Sequence, residues 1–204
     1  MKDRYKTLAK TANTEIIIKK SRFITSVSPV ASEEEAIDFI SRVKKEQSQA
    51  NHNVYAYIIN EQTQRYSDDG EPGGTAGRPV LDVIKRKDIV KAAVVVTRYF
   101  GGILLGAGGL VRAYSEAAVN GIEAADIVEK LLYRGLFLSM DYQWLGVVKR
   151  EVENAGGRSV SIDYGQRVQI NAFFRPAIVE SLTTKITEIT AAQVIIQLGD
   201  FVYI

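Results

Sequence analysis

The chain has 204 residues, 46% of them hydrophobic and 25% charged, which is enough apolar material for one large domain or two small ones with sizeable cores. It has no cysteine and a single histidine, which excludes disulfides, thiolate metal sites, cysteine nucleophiles and any multi-histidine metal site. The net charge of +2 is too small to mark a nucleic-acid-binding protein by itself, and neither residues 1–130 nor residues 131–204 are strongly basic.

The opening segment MKDRYKTLAKTANTEI has no apolar stretch of the signal-peptide kind, and no run approaches the ~18 residues of a spanning helix. The expectation is a cytoplasmic protein that does not enter a membrane. Residues 15–20 and 23–30 predict a hairpin around Ser21-Arg22. Ser32-Glu33-Glu34-Glu35 reads as a capping box, opening a helix that buries Ala36, Ile37, Ile40 and Val43. VYAYII (54–59) predicts a strand, and residues 61–69 a turn and an edge segment. SDDGEPGGTAGRP (67–79) holds too many glycines and prolines for regular structure. A short helix over 80–87 follows. AAVVVT (92–97) is apolar on both faces, as a central strand must be. From Gly108 the pattern is helical, with Ala113, Ala117, Ala118, Gly121 and Ala124 small enough to let the helix lie close on the sheet.

The second half reads as a strand (132–140) and a helix from Asp141 to Gly156-Gly157. A hairpin (159–164, 168–174), a helix opened by Pro176 and a last strand (193–198) follow. The order βαββαβ is the split βαβ, ferredoxin-like arrangement. The fold class is therefore α+β in two domains, 1–130 and 131–204, joined near 128–132 without a flexible linker.

Nine of the 16 glycines fall between residues 70 and 109. The loop at 101–109 lacks the G-K-[ST] ending of a P-loop. It also has Val111 where a dinucleotide fingerprint needs its third glycine, so no nucleotide cofactor is implied and none is expected. Gly106, Gly108 and Gly109 sit at a helix start with no Ser, Thr, Asp or Asn to cap it. Its first amides need oxygens from a ligand or from another loop. Arg98 and Arg112 flank the loop and could clamp an anion, with Thr75 close by in the partner loop. The alternative is a tight loop whose amides bind carbonyls of residues 70–77. Asp68, Asp69 and Glu71 are candidates for Mg²⁺ binding or acid/base work, or else cap local amides in a solvated turn. His52, just before a strand, becomes a candidate general base if it meets Asp69 or Glu71; otherwise it is a hydrogen-bonded structural histidine. Arg98, Tyr99 and Phe100 at the end of the central strand, with Tyr55, Tyr57, Tyr66 and Tyr114 in the same half, could stack bases, or the aromatic residues serve as core and cover.

Four segments carry a resemblance: SRFITSVSPV with SEEEA, then AxHNVYAY (50–57), then DDGEPGGTAGRPVL, then VVVTRYFGGILLGAGGLVRAYSEA. In that order and spacing they resemble the bacterial YigZ branch of the IMPACT family. The resemblance implies a ribosomal-protein-S5 domain-2-like first domain and a ferredoxin-like second domain, a pair similar to the last domains of elongation factor G. Eukaryotic members regulate translation by competing for the activator of an initiation-factor kinase, with help from a further N-terminal domain for which this chain has no room. The expectation is a non-enzymatic regulator of translation whose Gly-rich, Arg-bearing face binds RNA, the ribosome or a translation protein. The alternatives are an enzyme acting on a phosphorylated small molecule and a hydrolase built on His52 with Asp69 or Glu71.

Overall fold

The structure is a computed structural model that describes residues 2–204. The chain divides into two compact units, Tyr5–Glu129 and a second made of Lys130–Ile204 with the N-terminal residues through Arg4.

In the first unit, β1 (Arg4–Leu8) bridges residue 89 through Lys6. β2 (Ala12–Ile18) and β3 (Ser21–Pro29) form an antiparallel hairpin. Its turn is Lys19-Lys20, with φ of 46° and 63°, and Ser21 and Arg22 already belong to the strand. Two left-handed residues twist in the sense the hairpin needs, so two lysines take the place usually filled by Asn-Gly. The chain continues through α1 (Glu33–Glu46), β4 (His52–Ile58), β5 (Gln64–Ser67), α2 (Gly77–Arg86), β6 (Ala92–Tyr99) and α3 (Ala107–Ala124). The sheet order is β2-β3-β6-β4-β5, with every pair antiparallel.

The apolar run of β6 is explained by its place at the centre of a three-layer unit. Val94 and Val96 pack with Phe23, Val54, Ala56, Val80, Ile84 and Tyr114 under α2 and α3. Ala93 and Val95 face Phe39, Ile40, Val43 and Tyr57 beneath α1. Ser32 caps α1 by accepting from the Glu35 amide, while the Glu35 carboxylate reaches one residue further back, to the Ala31 amide. Ile37 is half exposed, and Phe39 fills the place expected for it. Gly121 fits α3 against β3: a Cβ there would fall 2.4 Å from Thr25 Cγ2. The Thr25 hydroxyl donates to the Ala117 carbonyl at the same crossing.

The second unit contains β7 (Ile127–Met140), a 3₁₀ turn, α4 (Leu145–Asn154), β8 (Arg158–Tyr164), β9 (Val168–Phe174), α5 (Pro176–Ile189) and β10 (Ile195–Tyr203). The antiparallel order β10-β7-β9-β8 is the ferredoxin-like arrangement. Leu136, Leu138, Met140, Ile170 and Phe174 face Val148, Val152, Leu182 and Ile186 of the two helices. β10 runs on to Tyr203 beyond an irregularity after Leu198, longer than the apolar run 193–198 suggests. Among the described residues no helix is long and apolar enough to cross a membrane.

Candidate functional site

Register brings the first two site residues together. His52 begins β4 and lies directly across from Arg98 on β6, and Phe23 of β3 lies across from Arg98 on the other side. All three side chains therefore leave the sheet on the face that α3 covers. The Arg98 guanidinium lies 5.6 Å from the Phe23 ring centre and 5.5 Å from that of Phe100. Tyr114 of α3 meets Phe23 edge-on at 5.3 Å.

Glu71 projects into this group from the loop before α2. Arg98 Nη1 donates to its Oε1 at 2.7 Å, and the Tyr114 hydroxyl donates to the same oxygen at 2.8 Å. Both members of the ion pair are more than nine-tenths buried. Burial, with the Glu71 carboxylate beside it, pushes the Tyr114 phenol far above its usual range, so it stays protonated and remains a donor. Arg98 Nη2 donates to Ser21 Oγ, which also receives the Gly101 amide. Arg98 Nε is buried without a hydrogen-bond partner.

His52 Nδ1 lies 2.8 Å from the Asp69 backbone carbonyl, and a carbonyl can only accept, so Nδ1 carries the proton. This leaves Nε2 as the free nitrogen, 4.0 Å from Glu71 Oε1. The ring rests against Gly70, whose φ of +87° suits glycine and turns the loop around it.

His52, Glu71 and Arg98 line a cavity of about 450 Å³. Its apolar side comes from Phe100, Leu104, Leu105 and Leu110, and its floor includes Gly106 and Ala107 at the start of α3. Gly106 has a φ of 72°, and no side chain caps the helix. Among the described residues no carbonyl of the 70–77 loop receives the amides of residues 107–109; the backbone–backbone bonds of that loop stay within residues 68–80. The cavity thus joins an open helix N-terminus to a buried guanidinium and an imidazole edge, a combination suited to an anionic group beside an apolar one.

The remaining sequence candidates fall elsewhere. Asp68 accepts from the amides of Gly74, Ala76 and Gly77 and so caps α2 from a distance. Asp69 accepts from Lys44 Nζ and the Asn53 amide. Burial acts to raise the Asp69 pKa, but the hydrogen bonds from Lys44 and Asn53 outweigh it and hold the carboxyl below its usual value. The three neighbouring carboxylates point to three different partners, and no group of three or more metal-ligating side chains lies together among the described residues. The Thr75 hydroxyl donates to the Pro72 carbonyl. Arg112 is exposed on α3 and is not in the lining of this cavity. Ser21 belongs to the site with no signal for it in the sequence, whereas Phe100 and Tyr114 are among the aromatic residues that the sequence offers for base stacking or cover. Tyr114 left one trace in the sequence: it is the one aromatic side chain on the buried face of α3.

A three-layer α/β unit with an anion-suited cleft, carried with a ferredoxin-like unit, defines a class of two-domain protein that the comparisons place. The Impact N-terminal domain model matches residues 19–122, and a model described as a domain of unknown function (DUF1949) matches residues 138–193. The chain belongs to the IMPACT family. It is 39% identical over 202 residues to IMPACT family member YvyE of Bacillus subtilis, covering 98% of this chain and 93% of that one. It is 32% identical over 175 residues to IMPACT family member YigZ of Escherichia coli, covering 84% and 86%. Protein IMPACT of Oryctolagus cuniculus is 36% identical over 93 residues, 43% of this chain and 29% of that one. A crystal structure titled only as that of a hypothetical protein superposes with a TM-score of 0.65 at 29% identity, covering 98% of each chain.

Proposed function

We propose that this protein is a non-enzymatic regulator of translation that binds RNA, including RNA displayed by the ribosome, through the cleft of its first unit. The observation that carries this reading is the uncapped start of α3 opening into the same cavity as Arg98 and His52. A phosphate is the anion such a terminus receives best. Phe100, 45% exposed at the rim with Arg98 against its ring, offers a surface on which a base can stack. Membership of a family whose eukaryotic branch acts in translation supports the assignment. The test is co-sedimentation with ribosomes and titration with labelled RNA, comparing wild type with His52→Gln and Arg98→Lys, both checked for an unchanged thermal midpoint. Binding weakened tenfold or more supports the cleft, and unaltered binding by both variants removes it.

One observation favours a second reading. With Nδ1 held by the Asp69 carbonyl, His52 Nε2 is left as an acceptor inside the cavity, where a hydrolase base would take a proton from a bound water or hydroxyl. Turnover of an ester or phosphoester panel that disappears with His52→Gln would establish it, and no turnover across the panel would end it.

A further inference from the structure

A second depression lies on the outer side of α2 and α3, separate from the cleft. It has a volume of about 770 Å³ and is lined by Gly73 and Gly74 of the loop, by Arg78, Lys85 and Arg86 of α2, and by α3. The three cations fall on one side of α2, Lys85 and Arg86 lying seven and eight residues beyond Arg78, so their positions span about 12 Å along the helix. All three are exposed, and none has an ion-pair or hydrogen-bond partner among the described residues. Lys87, next in sequence, differs: it pairs with Glu123 at 2.8 Å.

The helix dipole accounts for part of this pattern and not for the rest. Lys85 and Arg86 sit in the last turn, where positive charge is favourable. Arg78 sits in the first turn, at the positive end of the same helix, where a cation is unfavourable and an acid is preferred. The Asp68 carboxylate serves that helix end through the amides of Ala76 and Gly77, and Asp82, one turn on from Arg78, is the single acidic residue in the lining. The groove therefore carries three exposed cations against one carboxylate, and none of the three is held in an ion pair among the described residues. Pro72 lines the cleft while Gly73 and Gly74 line the groove, and Leu110 lines the cleft while Val111 lines the groove. The two depressions meet at the same loop and the same turn of α3.

We propose that the α2–α3 groove is the track for the phosphate backbone of a single RNA strand, with Arg78, Lys85 and Arg86 each neutralising a phosphate. This deepens the RNA-binding reading and rests on it: the groove supplies salt-dependent affinity, and the cleft takes one nucleotide of the same strand. A groove that follows a backbone without reading bases gives binding that depends on charge count more than on sequence.

The experiment is the salt dependence of binding of a fluorescein-labelled single-stranded oligoribonucleotide, read by anisotropy. Wild type is compared with R78Q/K85Q/R86Q and with a charge-matched control, K45Q/K149Q/R150Q, whose positions are exposed and lie outside both depressions. Each phosphate contact on a single strand contributes roughly 0.7 to the slope of log K against log salt, so the groove variant should lose about 2 from the slope. The control should keep the wild-type slope. A groove variant with the wild-type slope, or with the slope of an altered control, overturns the proposal while the RNA reading stands. A wild-type protein that binds no oligonucleotide at low salt overturns both, which is the outcome expected if the groove receives an acidic protein surface. Loss of slope in the groove variant beside an unaffected His52→Gln variant upholds the groove and removes the cleft.

Discussion

Arg98 and Glu71 stand 27 residues apart in sequence and 2.7 Å apart in space, and neither is more than 8% exposed. The pair holds the 71–72 loop against the end of β6 and thereby shapes one wall of the cleft. Removing one partner leaves the other as an uncompensated buried charge, so Arg98→Leu should destabilise the chain by about 3–5 kcal/mol in urea unfolding. The double variant Arg98→Leu, Glu71→Leu should recover most of that loss. If the single and double variants are equally unstable, the pair is not what makes Arg98→Leu costly. For this reason binding at the cleft is better probed with Arg98→Lys, which keeps the charge, than with alanine.

Asp68 performs a task that its neighbours do not. Its carboxylate receives three backbone amides, two of them at the start of α2, whose own N-cap position is Ala76 and provides no side-chain bond. Asp68→Ala should therefore behave as the loss of a helix cap, at about 1–2 kcal/mol, with faster hydrogen exchange at the amides of residues 74–77. Exchange at those amides matching the wild type would mean that the loop is held by other contacts.

The fate of the acidic loop marks the limit of what the sequence made legible. SDDGEPGGT announced a turn rich in oxygens, and it is one. Which partner each carboxylate meets is decided by residues brought in from α1, β4 and β6, at separations that no local pattern records. The elements themselves were more readable, because β6 is apolar on both faces and the βαββαβ half alternates cleanly. β1 escaped because RYKTL is short and mostly polar. The β2–β3 turn was placed two residues late because Lys19-Lys20 carries no glycine or asparagine to announce left-handed backbone. The cleft was half visible: the uncapped helix start and Arg98 could be read, and the meeting of His52 with Glu71 could be posed as a condition. The inward turn of Tyr114 and the outward turn of Arg112 follow from the rotation of α3 on the sheet, which residue type alone does not settle.

Asp69 couples the loop to pH. Its carboxyl titrates below the usual value near 3.8, because the Lys44 and Asn53 hydrogen bonds favour the charged form over the opposing effect of burial. A depressed carboxylate stabilises the fold above its unfolded pKa, and that stabilisation fades as pH falls through the lower, folded value. Asp69→Asn should therefore be less stable than wild type near neutral pH, and the difference should close below about pH 4. Urea unfolding of both proteins across that range measures it. A difference that stays constant from neutral to acid would show that the contacts do not depend on the charge.

Gly101 of the loop before α3 and Gly108 of its first turn make opposite predictions, and together they separate folding from function. A Cβ on Gly101 would fall 2.0 Å from the Lys20 carbonyl carbon, in the turn of the β2–β3 hairpin. Backbone on both sides leaves no side chain to move aside, so Gly101→Ala should be among the most damaging single changes in the first unit. Gly108 lies in the first turn of α3, and an added Cβ there would meet nothing within 4 Å. Its replacement by alanine removes conformational freedom from the unfolded chain and should stabilise the protein by about 0.5–1 kcal/mol. The fold therefore does not require glycine at 108, whereas a phosphate close over the first amides of α3, as the RNA reading proposes, would. Gly108→Ala should raise the thermal midpoint and lower RNA affinity in the same preparation. A variant that is more stable and binds RNA as well as wild type would show that nothing approaches the start of α3 closely enough to need the space.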